Sequence, residues 1–135
     1  MPFVNGNGPM PALDMAFPDV CKTPIGPAIV PIPYPNMSFS TTAIPSQFRV
    51  MTMGMPSHNM TTVRPISMGD NPGVALGTAS GMVMGPGVAM MGSTNLFLGG
   101  PPATKMTMPT KQNGIGPNAF GLTASPSQIK VMALR

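Results

Sequence analysis

The sequence predicts a mostly β fold built from short hairpins with turns rich in glycine and proline. Nineteen prolines and sixteen glycines together form about a quarter of the 135 residues. Each proline removes a backbone N–H and disfavours helical geometry at the residue before it. Outside one glycine-rich stretch, the apolar residues show no 3.6-residue period. Short apolar runs bounded by Gly, Pro and Asn are instead typical of strands joined by tight turns.

The first element is the stretch 18–36, PDVCKTPIGPAIVPIPYPN, which holds the only cysteine and the only tyrosine of the chain. Its prolines exclude a helix and favour a stiff, extended ribbon. The strand candidates in chain order are Ala28–Pro33, Phe48–Met53, Thr94–Leu98, Lys105–Met108 and Ile129–Leu134.

Two segments that lie 45 residues apart look alike, MTMGMPS at 51–57 and LFLGGPP at 96–102. Each has a three-residue run followed by Gly, any residue, Pro and a small or turn-forming residue. The match indicates a repeated strand-turn unit.

Charged side chains are scarce, with seven Lys or Arg, three Asp and a net charge of +4. A soluble domain usually has about a quarter of its residues charged, and disorder usually needs a high net charge. We therefore expect one compact domain that hides much of its surface in a larger assembly. The basic residues are scattered and do not alternate with aromatics, so no nucleic-acid binding is expected.

A single cysteine excludes an internal disulfide framework. The N-terminal residues MPFVNGNGPMPALD lack a basic region followed by an apolar one, so no signal peptide is expected. We expect a protein made in the cytoplasm that, if exported, leaves by another route.

The stretch Gly73–Gly92 supports an alternative hypothesis, a small membrane-active or membrane-anchored protein. Residues 71–104 carry no charge, and glycines recur every four residues from Gly73 to Gly85, as in glycine-faced transmembrane helix pairs. Against this, Pro86-Gly87 interrupts the span, and flanking basic or aromatic anchors are absent. In the buried alternative, the glycines let backbones approach each other closely.

The ribbon and the elements after it resemble the PAAR-like domain family, spike-tip proteins of the type VI secretion system and related contractile injection systems. In that family the opening ribbon precedes a strand with a Gly-x-Pro turn, an S-x-GD-x-PG element, a glycine-rich stretch, a second such strand and turn, and a closing T-x-x-N. The matching segments here are Phe48–Pro56, Ser67–Gly73, Gly77–Gly87, Leu96–Pro101 and Thr110–Asn113. The motif residues are Pro18, Asp19, Cys21, Pro24, Gly26, Pro27, Pro31, Pro33, Tyr34, Pro35, Asn36, Gly69, Asp70 and Gly73.

The resemblance implies a small conical fold of short hairpins over residues 14–113. An extended N-terminal segment, 1–13, precedes it, and a C-terminal extension with a candidate terminal strand, 114–135, follows. The resemblance also implies that the chain caps and sharpens the trimeric VgrG-type spike of a contractile injection machine, with one copy per trimer. The machine is either a type VI system or a phage-tail-like extracellular injection particle.

Such a tip would be made in the bacterial cytoplasm, touch the target membrane transiently during puncture and be expelled with the spike. Effector proteins are further candidate partners. The sixteen methionines would suit the spike interface because Met is flexible and fills irregular gaps, although we expect most of them to fill the core.

No catalytic constellation is evident, so we do not expect an enzyme. The one histidine, His58, has no nucleophile-elbow glycine pattern near it, and Asp14 and Asp19 are poorly placed as paired acids. Asp70, before Asn71-Pro72-Gly73, is interpreted as a turn residue that bonds its own backbone. A lone cysteine such as Cys21 is usually a small buried apolar residue.

The candidate cofactor is zinc, because PAAR-type tips often hold a metal near the apex with histidine and cysteine. A structural zinc takes four ligands of this kind, and this chain offers two, Cys21 and His58. Where relatives often have a histidine before the closing Asn, this chain has Gln112. An Asp, a water or a symmetric contact would have to complete the site, or packing alone holds the apex.

Overall fold

The computed structural model describes residues 3–114, 116 and 118–134. Within these residues the regular structure is β, apart from one 3-10 turn at Ser40–Thr42, and this confirms the mostly β prediction. The strands are β1 (Leu13–Ile25), β2 (Ala28–Phe39), β3 (Met51–Thr52), β4 (Met55–Pro56), β5 (Val63–Arg64), β6 (Gly87–Ala89), β7 (Pro109–Gln112) and β8 (Ala119–Thr123).

Six of these strands form one antiparallel sheet in the order β2-β1-β8-β7-β6-β5, and β3 pairs with β4 in a separate hairpin. The chain after β5 then returns to β2. There Met37 and Met68 exchange both of their backbone hydrogen bonds, each at 2.7 Å. The hydrogen-bonded order therefore closes into a ring of strands, which leaves an inner and an outer face.

The ribbon seen in the sequence forms the hairpin of β1 and β2, which turns at Gly26-Pro27 between the paired residues Ile25 and Ala28. Gly26 has a positive φ of 59° and no atom within 4 Å of its Cβ position, so it supplies the turn conformation that L side chains rarely adopt. Because β8 pairs with β1 only over residues 14–16, the far half of the hairpin extends beyond it. Backbone bonds between Lys22 and residues 75–76 brace that half.

The buried interior of this ring is polar. On β1, Asp14 pairs with Ser38 of β2 and Thr123 of β8, and all three are almost completely buried. The Asp14 carboxylate makes an ion pair at 2.7 Å with Arg64, which is also buried. The small apolar cluster of Val4, Leu96, Leu98, Ala103 and Ala133 lies outside the ring strands. The fold is therefore held largely by buried hydrogen bonds, which is unusual for a sheet protein.

Ala28–Pro33 is confirmed because it lies within β2, whereas Phe48–Met53 is confirmed only at Met51–Thr52, which form β3. The other three, Thr94–Leu98, Lys105–Met108 and Ile129–Leu134, are wrong, because each makes only an isolated bridge.

Local hydrogen bonds explain these three failures. The Leu98 N–H turns back to the Pro101 carbonyl, and the Met108 N–H turns back to Lys105. The Gln128 side-chain oxygen accepts the N–H groups of residues 130 and 131. The contacts at Met108 and Gln128 use backbone donors that a strand would need for its neighbour, whereas the Leu98 bond closes a tight turn beside the single Phe97–Pro102 bridge.

The two similar segments do share a turn. In 51–57 the turn has positive φ at Met53 (51°) and Gly54 (81°), and in 96–102 at Gly99 (69°) and Gly100 (113°). Two consecutive residues at positive φ are typical of tight two-residue hairpin turns. Only the first copy is flanked by paired strands, β3 and β4.

The stretch Gly73–Gly92 forms turns and β6, not a helix. Within the described chain, no helix has the length and apolar character needed to span a membrane. A Cβ on Gly77 would lie 2.7 Å from the Asn118 side chain, and one on Gly85 would lie 2.9 Å from Asn113 Oδ1. The buried interpretation, in which glycines permit close approach, is confirmed at these positions.

Residues 114–135, predicted as an extension with a terminal strand, contribute β8, which lies between β1 and β7 in the sheet. From the N-terminal segment, Val4 joins the small apolar cluster and its N–H bonds to Val131. The division into three segments remains a prediction.

Candidate functional site

The residues best suited to chemistry meet where the long hairpin contacts the loop after β5. Asp19 and Cys21 lie on β1, and Asp70 lies in that loop. All three are fully buried, and one donor atom from each lies within 4.8 Å of the others. Cys21 Sγ is 3.6 Å from Asp19 Oδ1 and 3.7 Å from Asp70 Oδ2. We refer to Asp19, Cys21 and Asp70 as the acidic cluster.

Local sequence explains how the cluster forms. Asp19 and Cys21 are two residues apart on one strand, so their side chains point to the same face. The SMGDNPG segment brings Asp70 to them by a turn in which the Gly73 N–H donates to the Asp70 carbonyl at 2.9 Å. A Cβ on Gly73 would collide with the Cys21 side chain, and one on Gly69 would collide with the Pro35 carbonyl. These two motif glycines are therefore required for the loop to reach the hairpin.

Three asparagine side chains surround the acidic cluster. Asn36 Nδ2 donates to Asp19 Oδ2 at 2.5 Å, and Asn118 Nδ2 donates to Asp19 Oδ1 and to the Val20 carbonyl. Asn113 Nδ2 is 2.7 Å from Asp70 Oδ2, 3.1 and 3.2 Å from the two Asp19 oxygens, and 3.6 Å from Cys21 Sγ. The Met84 N–H also donates to Asp70 Oδ2 at 3.1 Å.

Burial governs the ionisation of the cluster. Desolvation, together with the nearby Asp19 and Asp70 carboxylates, raises the pKa of the Cys21 thiol to about 12. The thiol is therefore protonated at neutral pH and is a poor nucleophile. Desolvation also raises the pKa of Asp70, partly opposed by the Met84 N–H and reinforced by Asp19.

His58, the second predicted metal ligand, is not part of this cluster. Its Nε2–H donates to Asn7 Oδ1 at 2.5 Å, and its backbone bonds to residues 5 and 104. Desolvation, with Arg64 as a smaller cause, lowers the pKa of His58 to about 3. Among the described residues, the structure thus groups Cys21 with two aspartates and not with the histidine.

Sequence reasoning missed the cluster because it assigned Asp70 to a turn. Asp70 does close that turn through its backbone, but its side chain faces Cys21. Gln112 is also fully buried, and its Nε2 lies 3.4 Å from Thr110 Oγ1. The sequence did contain a usable signal. Asp19 and Cys21 are two residues apart, which places both side chains on one face of a strand, and both belong to the same set of motif residues as Asp70.

The remaining motif residues all lie in the β1–β2 hairpin. Pro24, Gly26 and Pro27 belong to the hairpin end, and the Tyr34 hydroxyl lies 2.7 Å from Thr23 Oγ1 across the two strands. Pro31, Pro33 and Pro35 lie along β2.

By residue type and spacing, Asp19, Cys21 and Asp70 could hold a metal ion. Zinc, however, takes four ligands in structural sites, and the cluster provides three. The Asn113 amide, which contacts all three residues of the cluster, presents N–H donors to it and not a ligand oxygen. The donor set therefore fits a zinc ion incompletely.

The fold and this buried cluster define a small, mostly β domain with one group of buried acidic and thiol side chains. Residues 12–120 match the family model described as the toxin PAAR-like domain. The match covers most of the chain, so the chain belongs to this PAAR-like family. No curated protein and no solved structure gives a significant match to it.

Proposed function

We propose that this chain is the structural tip of a contractile injection machine, where one copy caps and sharpens the trimeric VgrG-type spike. The single observation that carries the proposal is the reversed distribution of polarity, with polar side chains buried and large apolar ones exposed. Membership of the PAAR-like family supports it. An isolated soluble domain normally exposes its polar face, so the exposed apolar surface favours a chain that is covered in an assembly.

The outer face of the ring illustrates this reversal. Met15 of β1 pairs with Met37 of β2 on one side and with Leu122 of β8 on the other. Met15 and Leu122 are 44% and 46% exposed, and nearby Phe17 and Phe120 are 66% and 58% exposed. Apolar groups on neighbouring strands thus form a continuous surface, at which burial against a partner would be favourable.

The β3–β4 hairpin is a second apolar surface. It lies outside the six-stranded sheet, and Met51, Met53 and Met55 are all exposed, with Phe48 and Val50 exposed beside them. An isolated two-stranded hairpin is marginally stable in water, so contact with a partner would stabilise it.

The methionines support an interface more strongly than we expected. None of the fifteen methionines in the described chain is buried, and nine of them are exposed. The expectation that most methionines fill the core is therefore wrong, because the interior is filled by polar and small residues. Flexible Met side chains suit a single chain that sits on a three-fold partner, since it must meet three copies of one surface in three different orientations.

The proposal assigns no catalytic step and no nucleic-acid partner to this chain. It follows that the chain is made in the bacterial cytoplasm, contacts the target membrane transiently during puncture and leaves with the spike. Effector proteins are proposed as further partners. The type VI system and the extracellular injection particle are equally compatible with these features.

The test is binding to a purified VgrG-type spike trimer from the same organism, measured by isothermal titration calorimetry. We expect binding by the wild-type chain and at least tenfold weaker binding by the variant in which Met51, Met53 and Met55 are all replaced by Ser. The control is Met91→Ser, an exposed methionine outside that hairpin. No detectable binding by the folded wild-type chain would contradict the proposal.

A further inference from the structure

The acidic cluster contains two buried carboxylates that make no ion pair with any cationic side chain of residues 3–114, 116 and 118–134. The single ion pair in the described part of the chain joins Asp14 to Arg64, away from Asp19 and Asp70. Buried charges without a partner are costly, so hydrogen-bond donors, together with the raised pKa of Asp70, must compensate the cluster. The groups that donate to its carboxylates are the side-chain amides of Asn36, Asn113 and Asn118 and the backbone N–H of Met84.

The orientation of the Asn113 amide is fixed by its surroundings. Its Oδ1 accepts a hydrogen bond from the Gly85 N–H at 2.9 Å. If the amide were flipped, its NH₂ group would face that N–H donor and both hydrogen bonds would be lost. Its Nδ2 must therefore face the cluster.

The Asn118 amide is oriented in the same way. Its Oδ1 accepts from the N–H groups of Ala79 (2.8 Å) and Ser80 (3.3 Å). Its Nδ2 then donates to Asp19 and to the Val20 carbonyl. The two asparagines thus use backbone donors of the glycine-rich loop to direct their NH₂ groups towards the acids.

The two hydrogens of Asn113 Nδ2 match the acceptors around it. The shortest contact, 2.7 Å, is to Asp70 Oδ2, which takes one hydrogen. The two Asp19 oxygens, at 3.1 and 3.2 Å, share the other hydrogen. Cys21 Sγ lies 3.6 Å away. One amide group therefore contacts all three residues that could ligate a metal, and it does so with hydrogen and not with a lone pair.

We propose that asparagine amides take the place of a metal ion in this cluster, with Asn113 Nδ2 as the group that joins Asp19, Cys21 and Asp70. A cation bound to all three would meet the two amide hydrogens directed at the same atoms, which would repel it. Amide hydrogen bonds then join the hairpin to the loop after β5, the role that a metal ion would otherwise have. This inference concerns the isolated chain and does not depend on the proposed spike partner.

The direct test is the metal content of the full-length wild-type chain, purified from cells grown with added zinc and measured by inductively coupled plasma mass spectrometry. We expect substoichiometric metal and a Tm that neither a chelator nor added Zn²⁺ changes. About one metal ion per chain, with a fall in Tm on chelation, would overturn the proposal.

The second test is Asn113→Asp, which replaces the bridging NH₂ with an oxygen ligand. Without metal, a third carboxylate in the cluster should lower Tm by roughly 10 °C, the scale expected for a loss of a few kcal/mol in a domain of this size. Added Zn²⁺ should restore much of that loss, whereas wild type should not respond.

The matched control is Asn95→Asp, at an exposed asparagine outside the cluster, for which we expect no change in Tm and no response to Zn²⁺. If Asn113→Asp keeps the wild-type Tm in the absence of metal, the proposal is wrong. If that variant does not fold, the metal content and chelator response of wild type still decide the question.

Discussion

His58 is fully buried, and its two ring nitrogens have different surroundings. Nε2–H donates to Asn7, whereas Nδ1 is buried without a hydrogen-bond partner. Protonation of Nδ1 would bury a positive charge away from water and, to a smaller extent, place it near Arg64, so the pKa of His58 falls from 6.5 to about 3. The neutral ring is therefore part of the folded state.

This predicts a loss of stability in mild acid. Between about pH 3 and 6.5 the unfolded chain binds a proton at His58 that the folded chain does not, so stability is complete above pH 6.5 and decreases as the pH falls. Between pH 6.5 and 5 the contribution lost is about 2 kcal/mol. The measurement is urea unfolding at pH 7.5 and pH 5.

His58→Gln is the matched variant, because its amide can still donate to Asn7. The other titratable groups are shared by both proteins, so the difference between their pH profiles reports His58 alone. We expect the variant to lose clearly less stability between the two pH values. Equal losses in both proteins would refute this assignment.

The Asp14–Arg64 ion pair gives a second prediction at the same scale. Both groups are almost completely buried, so removal of one partner leaves the other without compensation. We expect Arg64→Met to reduce the free energy of unfolding by about 3–5 kcal/mol, as is usual for a broken buried pair. The double variant Arg64→Met with Asp14→Asn should recover part of this loss in urea unfolding, and a strictly additive double loss would contradict the pairing.

At the scale of elements, the alternating prolines of β2 have a clear geometric meaning. The Met37 N–H points away from β1 and bonds to Met68. Backbone direction alternates along a strand, so Pro35, Pro33 and Pro31 have the same orientation as Met37. The positions at which these prolines lack an N–H therefore lie along the edge of β2 that faces away from β1. There proline prevents pairing with another chain.

We predict that Pro31→Thr with Pro33→Thr opens this edge. The new N–H groups would face outward beside free carbonyls, and the variant should form dimers or larger species in light scattering coupled to size-exclusion chromatography. Val30→Thr is the control, because residue 30 pairs with Thr23 of β1. A double variant that stays monomeric at high concentration would contradict this role.

The glycine-rich loop gives a further prediction about packing. A Cβ on Gly73 would collide with Cys21, whereas Gly116 is exposed and has no atom within 4 Å of its Cβ position. We expect Gly73→Ala to cost roughly 1–3 kcal/mol, the range for overpacking, and Gly116→Ala to change stability by less than about 0.5 kcal/mol. Thermal unfolding of the two variants makes the comparison, and similar Tm values would count against it.

These elements also show which parts of the fold and of the candidate site could be predicted from the sequence. The hairpin was predictable because proline restricts the backbone locally, wherever the rest of the chain lies. The acidic cluster was not predictable in the same way, because Asp19, Asp70 and Asn113 meet only after the sheet has formed. The strand expected at Thr94–Leu98 failed for a related reason, since the chain turns at Gly99-Gly100 before a partner can pair along its length.

At the scale of the whole molecule, the distribution of polar and apolar side chains distinguishes this protein from an ordinary small domain. Buried asparagine, aspartate, serine and threonine side chains hold the ring, while methionine and phenylalanine lie on its outer face. Few charges remain to keep an isolated chain soluble, since ten of 135 residues are charged. Coverage of the apolar face by a partner would explain both features.

The central claim is that one copy of this chain caps a trimeric spike, and the most direct measurement is the mass of the complex formed with that trimer. Native mass spectrometry of the mixed, purified proteins should give one chain bound per trimer, because a single tip on a three-fold axis excludes a second copy. Three chains per trimer, or no complex between folded partners, would contradict the claim.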